Sequence, residues 1–117
     1  MESLQVPWGV TPDVCPVTRT LAFVGSKWTP LLIVRLREGT RRYGELQQAL
    51  PGISPKTLAD RLQALEQEGL VTRTVHPDKP PRVEYALTER GRDLGDILAS
   101  IAAWATRPAA ETVTAAG

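Results

Sequence analysis

The stretch from Leu50 to Gly69 constrains the fold of this chain more than any other. Pro51-Gly52 forces a tight turn, because proline fixes its own φ and glycine adopts backbone angles that other residues avoid. Just beyond, Ser54 has the short hydroxyl side chain of an N-cap, and Pro55 takes the first helical position, where its missing N–H costs nothing. Good helix formers run on to Glu68, and Gly69 is a stop signal. The pattern predicts a helix over 55–68 whose inward face is Leu58, Leu62 and Leu65. A short helix with Tyr43, Leu46 and Leu50 on one face precedes the turn, so two helices meet across it.

Upstream, Val17, Leu21, Val24 and Trp28 recur at helical intervals and predict a first helix over 16–25, interrupted by Gly25 and Ser26. The second helix, from Trp28 through Leu36, is apolar nearly all round at Leu31, Leu32, Ile33 and Val34. It reads as a buried central helix stopped by Gly39. Downstream of Gly69 the period changes to two. Leu70 to His76 and Arg82 to Leu87 alternate apolar with polar residues, predicting two strands facing each other across the stiff Pro77-Asp78-Lys79-Pro80-Pro81 tip. Thr88 then caps a last helix, 89 to about 106, with an apolar stripe of Leu94, Ile97, Leu98, Ile101 and Trp104.

Residues 1–14 read as an N-terminal arm and 107–117 as a flexible tail, leaving 15–106 as one folded domain. A length of 117 residues leaves room for no second one. The expected class is mostly α with a small β-hairpin (α+β), and the element order is that of a winged helix-turn-helix.

Composition removes whole classes of function. The chain has one histidine, His76, and one cysteine, Cys15, so no metal site can be assembled at a ligand spacing. No phosphate-binding glycine loop and no nucleophile elbow occurs, and no cofactor or enzymatic role is expected. The longest aliphatic run, Leu31 to Val34, is far too short to span a membrane. The amino terminus lacks a basic segment followed by an apolar one, so no secretory signal is expected. A single cysteine makes no internal disulfide, which fits the reducing cytoplasm.

The net charge of +1 conceals a gradient. Residues 35–92 carry eleven basic side chains against eight acidic ones, whereas 93–117 carry one against three. A basic centre framed by neutral and acidic ends is one footprint of phosphate binding.

A helix-turn-helix with a wing presents its second helix to the DNA major groove amino terminus first. Ser54, Lys56, Thr57 and Asp60 lie at the front of that helix away from its leucine face, with Arg61 on the flank. Lys56 and Arg61 suit phosphate or guanine, and Thr57 suits phosphate or a thymine methyl. Asp60 suits a cytosine amine or the orientation of Arg61. On the wing, Lys79 and Arg82 are cations on a backbone stiffened by proline, and Arg41 and Arg42 precede the short helix where backbone contacts form. Each of these residues also has a plain reading as a solvated surface side chain, as does His76 beside the wing.

C-P-V-x-R-T-L at 15–21, G-S-K-W-T at 25–29, R-R-Y-G-E-L at 41–46, L-P-G-I-S-P-K-T-L at 50–58, R-L-Q-A-L-E at 61–66, G-L-V-T-R-T-V at 69–75 and P-P-R-V-E-Y-A-L-T at 80–88 stand in order along the chain. Together they resemble the HxlR family of bacterial winged-helix transcription regulators over roughly residues 15 to 105. The resemblance implies a cytoplasmic homodimer bound to double-stranded operator DNA, with dimer contacts from the first and last helices. The stripe supports this independently, since Leu94, Ile97, Leu98, Ile101 and Trp104, with Leu21 of the first helix, exceed what a small winged-helix core needs.

Cys15 precedes Pro16 and so stands at the N-cap of the first helix, where the helix dipole and Arg19 favour a thiolate. The resemblance points to a redox-sensing or electrophile-sensing role for a cysteine at this position. An inert, partly buried thiol is the other reading. Two further functions stay open: a winged-helix module for protein interaction, and a regulator gated by a small-molecule effector near Trp28 and Phe23.

Overall fold

A computed structural model describes residues 15–108, so the expected arm at 1–14 and the tail beyond Pro108 lie outside the described residues. The elements are α1 (Pro16–Val24), α2 (Thr29–Arg37), β1 (Arg41–Arg42), α3 (Tyr43–Ala49), α4 (Pro55–Gln67), β2 (Val71–His76), β3 (Arg82–Leu87) and α5 (Glu89–Ala105). The cap signals act as their chemistry requires. Thr57 N–H donates to Ser54 Oγ at 3.1 Å at the start of α4, and Gly91 N–H donates to Thr88 Oγ1 at 3.0 Å at the start of α5. After α4, Gly69 has φ +73°, the left-handed angle that turns the chain into β2.

The core is one cluster. Leu32, Ile33 and Leu36 of α2 meet Leu46 of α3, Leu58, Leu62 and Leu65 of α4, and Leu70, Val71, Tyr85 and Leu87 at the sheet. Leu50 and Ile53, either side of Pro51-Gly52, are buried in the same cluster, so the turn is pinned by apolar packing on both flanks.

Two sequence expectations are corrected. The wing is part of a three-stranded antiparallel sheet of order β1-β3-β2, because Arg41 and Arg42 pair with Tyr85 and Glu84. Two residues are too few to show an alternating period, so β1 was invisible in the sequence. Second, α2 is buried on one side only: Leu31 and Val34 are exposed. The apolar face that the spacing gives to α1 is divided between core and surface. Val24 is buried and Trp28 half-buried, but Val17 and Leu21 point into solvent.

The last helix is fastened to the end of α4. Thr88 Oγ1 donates to the Gly69 carbonyl at 2.6 Å, and Thr88 N–H donates to the Leu70 carbonyl at 3.0 Å. Gly91 allows this approach, since a Cβ there would overlap the Leu70 carbonyl. One turn later Gly95 lies against Ile33 and Arg37, and the Arg37 guanidinium donates to Asp96 Oδ1 at 3.0–3.1 Å. The C-terminal part of α5 leaves the core, and Trp104 is 71% exposed.

Candidate nucleic-acid interface

The front of α4 is built by its cap. Ser54 Oγ accepts from Thr57 N–H and donates to Thr57 Oγ1 at 2.8 Å, which fixes both side chains at the first turn. Lys56 extends into solvent and is paired with Asp60 one turn on, Nζ to Oδ2 at 3.1 Å. Asp60 therefore engages Lys56, where the sequence offered a cytosine amine or Arg61. Arg61 is half-buried on the flank beside the buried Leu62. Lys56 and Asp60 lie on the outer side of α4, opposite Leu58, Leu62 and Leu65, with Thr57 and Arg61 half-buried at its flanks and Ser54 exposed at the cap.

A second cationic feature lies next to the first. Arg42, Lys79 and Arg82 line a groove of about 470 Å³ between the start of α3 and the wing tip, with Tyr43 and Asp78. Arg82 Nη2 lies 3.5 Å from Asp78 Oδ2, while its Nε is buried with no hydrogen-bond partner among the described residues. Three guanidinium or ammonium groups against one carboxylate leave the groove positive. Tyr43 joins the two features: it lines the groove, and its hydroxyl donates to the Pro55 carbonyl at 2.8 Å in the first turn of α4. That bond crosses the helix-turn-helix and sets where the groove lies relative to the front of α4. Sequence reasoning placed Tyr43 only on an apolar face, since no pattern shows which carbonyl a phenol will reach.

Arg41 is not brought into this groove. Successive residues of a strand point to opposite faces, and Arg41 Nη2 donates to Glu38 Oε1 at 3.3 Å. Arg35 reaches the same carboxylate at 3.7 Å. His76 is tied to the sheet by a 2.6 Å contact between Nε2 and Glu84 Oε1. The start of α3 is closed by Glu45, whose Oε1 accepts from Arg42 N–H at 2.7 Å.

Cys15 is the N-cap residue of α1, as the sequence placed it, with its carbonyl accepting from Arg19 N–H at 2.9 Å. The residue is 3% exposed. Of the six stripe residues, Leu94 and Leu98 pack half-buried against the core. Leu21, Ile97, Ile101 and Trp104 are exposed, joined by Val17, which the sequence reading placed on the same helical face as Leu21. Among the described residues no group of histidine, cysteine and carboxylate side chains is placed to hold a metal ion, and no helix is long and apolar enough to cross a membrane.

A model of the HxlR-like helix-turn-helix family matches residues 23–112. An HTH-type transcriptional regulator of Synechocystis sp. is 46% identical over 88 residues, covering 75% of this chain and 65% of that protein, so the chain spans somewhat under two-thirds of this relative's length. The HTH-type transcriptional regulator YtfH of Escherichia coli is 44% identical over 92 residues, covering 79% of this chain and 73% of YtfH. Among solved structures, the reduced form of the transcriptional regulator YodB from Bacillus subtilis superposes with a TM-score of 0.71 at 39% identity. That match covers 79% of this chain and 91% of YodB. The diamide-treated form of YodB matches with a TM-score of 0.69, over 79% of this chain and 92% of that one.

Proposed function

The chain belongs to the HxlR-like helix-turn-helix family of transcriptional regulators, and from that premise we propose that it acts as a cytoplasmic homodimer on an inverted-repeat DNA operator, inserting α4 of each copy into the major groove. The observation that carries this reading is the Tyr43–Pro55 bond, which sets the positive groove of Arg42, Lys79 and Arg82 beside the exposed front of α4. Helix-front N–H groups and groove cations take phosphates along one strand, while side chains of α4 meet base edges. Within α4, Lys56 and Arg61 address phosphate or guanine, Thr57 a thymine methyl or phosphate, and Asp60 a cytosine amine once Lys56 has turned to the duplex. Ser54 acts by holding Thr57 in place, and Arg41 by a backbone contact at the sheet edge.

Dimerisation is supported by Leu21, Ile97, Ile101 and Trp104, which form an exposed apolar stripe on α1 and α5 that a lone copy leaves in water. Leu94 and Leu98 back that stripe from inside. A two-fold dimer that reads an inverted repeat needs its two α4 helices about one DNA turn apart.

Redox sensing through Cys15 is supported by its N-cap position and by the similarity to YodB, solved in reduced and diamide-treated forms. Two Cys15 thiols, one per copy, would each give up a proton and an electron to diamide. A disulfide then forms between copies, and diamide becomes its hydrazine. Because Cys15 is buried, the first turn of α1 must open for this to happen, which links thiol chemistry to the dimer face.

Fluorescence anisotropy with operator fragments selected from genomic DNA tests the reading. Lys56→Ala and Arg61→Ala are each expected to weaken binding by about 1–3 kcal/mol, against a background that falls steeply with salt. Unchanged binding in both variants would instead favour a module for protein interaction. Diamide should release the wild-type protein from DNA and leave Cys15→Ser bound; equal release of both rejects the sensor role.

A further inference from the structure

A solvent-open cleft of about 520 Å³, lined mostly by exposed side chains, lies where α1, α5 and the C-terminal end of α4 meet, away from the positive groove and from α4's front. Its size falls in the roughly 300–1,000 Å³ range of small-molecule sites. Phe23 and Leu94, both half-buried against the core, supply its apolar lining with Leu70 and with Ile97 of the exposed α5 stripe. Four charged side chains line it as well: Arg19 of α1, Arg90 and Asp93 of α5, and Glu68 at the C-cap of α4. None of the four is in an ion pair with any described residue. The helix polarities add to this arrangement. Arg19 and Arg90 sit in or next to the first turns of α1 and α5, the positive ends of those helices, while Glu68 caps the negative end of α4.

We propose that this cleft is an effector site for a zwitterionic, apolar amino acid. The carboxylate is taken by Arg19 and Arg90, the ammonium group by Glu68 and Asp93, and the side chain lies on Phe23 and Leu94. Two cations, two anions and an apolar lining complement such a molecule better than they complement a simple anion or cation. Its occupancy reaches α4 through Leu70, which lines the cleft, donates its N–H to the Leu65 carbonyl of α4 and accepts from Thr88 N–H at the start of α5. The effector role, unlike the binding, rests on the DNA-binding reading above.

Isothermal titration of the full chain with L-phenylalanine, without DNA, tests the binding. Phenylpropionate, which lacks the ammonium group, and phenethylamine, which lacks the carboxylate, are each expected to bind at least about tenfold more weakly. Arg19→Gln and Arg90→Gln should weaken phenylalanine by a similar factor and leave phenethylamine unchanged; Glu68→Gln should weaken phenylalanine and leave phenylpropionate unchanged. Circular dichroism confirms that the variants are folded. With operator DNA present, phenylalanine should change DNA affinity, and DNA should change phenylalanine affinity by the same factor. Absence of saturable binding up to about 10 mM, or equal binding of all three probes, overturns the site. Binding with unchanged DNA affinity overturns the effector role. Selective phenylalanine binding by a protein that takes no DNA leaves the site standing and defeats the DNA-binding proposal instead.

Discussion

Ser54 works twice at the residue scale: it caps α4 and orients Thr57, so its loss reaches both stability and recognition. Ser54→Ala is expected to cost about 1 kcal/mol, read as a lower denaturant midpoint with an unchanged slope. Asp60 behaves differently. Its pair with Lys56 is exposed and spaced i,i+4, so it contributes only about 0.3–0.5 kcal/mol to folding. Asp60→Asn should therefore leave stability nearly unchanged while strengthening binding to unrelated DNA. It removes one negative charge from the face proposed to meet phosphates and releases the Lys56 ammonium, and anisotropy at several salt concentrations would show the gain shrinking as salt rises. At this scale the residue types at the front of α4 were legible, because capping chemistry and the leucine spacing assign them. Their partners were read less well: the i,i+4 spacing of Lys56 and Asp60 already favours that pair over the adjacent Arg61, whereas Tyr43 reaching Pro55 depends on a side-chain direction that a string of letters does not carry.

Helix boundaries were legible wherever proline, serine, threonine or glycine marks them, and α4 and α5 begin at the residues their caps indicate. The elements that escaped are those whose identity depends on a neighbour. Residues 41–42 become a strand only because β3 lies alongside, and α1 exposes Val17 and Leu21 because the core is already filled by α2, α3 and α4. The joint between α4 and α5 is the element contact most sensitive to substitution. Gly91→Ala would set a methyl group against the Leu70 carbonyl, so about 1–3 kcal/mol of stability should be lost. Gly44→Ala is the control, since nothing stands within 4 Å of a Cβ there. A thermal melt in which both variants behave alike would show that the joint yields without cost.

For the whole molecule the decisive feature is an apolar face that no described residue covers. Leu21 and Ile97 are 55% and 56% exposed, beside Ile101 and Trp104. Burying apolar surface is worth about 25 cal/mol per Å², so several large side chains left in water favour a second copy. Ile97→Ser with Trp104→Ser should convert the sedimenting species to monomer and weaken operator binding, with the far-ultraviolet spectrum kept; a dimer that survives both changes would place the pairing face elsewhere. By itself the sequence determined the order and type of the main elements, the turn that joins α3 to α4 and the leucines that fill the core, because caps, breakers and periodicity are local properties of the chain. Tertiary structure alone decided which cations share the groove by Tyr43, that Arg41 turns away from it, that Cys15 is buried and that a charged cleft opens where α1, α4 and α5 meet. Each of these depends on distances between residues far apart in the chain, which packing sets and spacing does not.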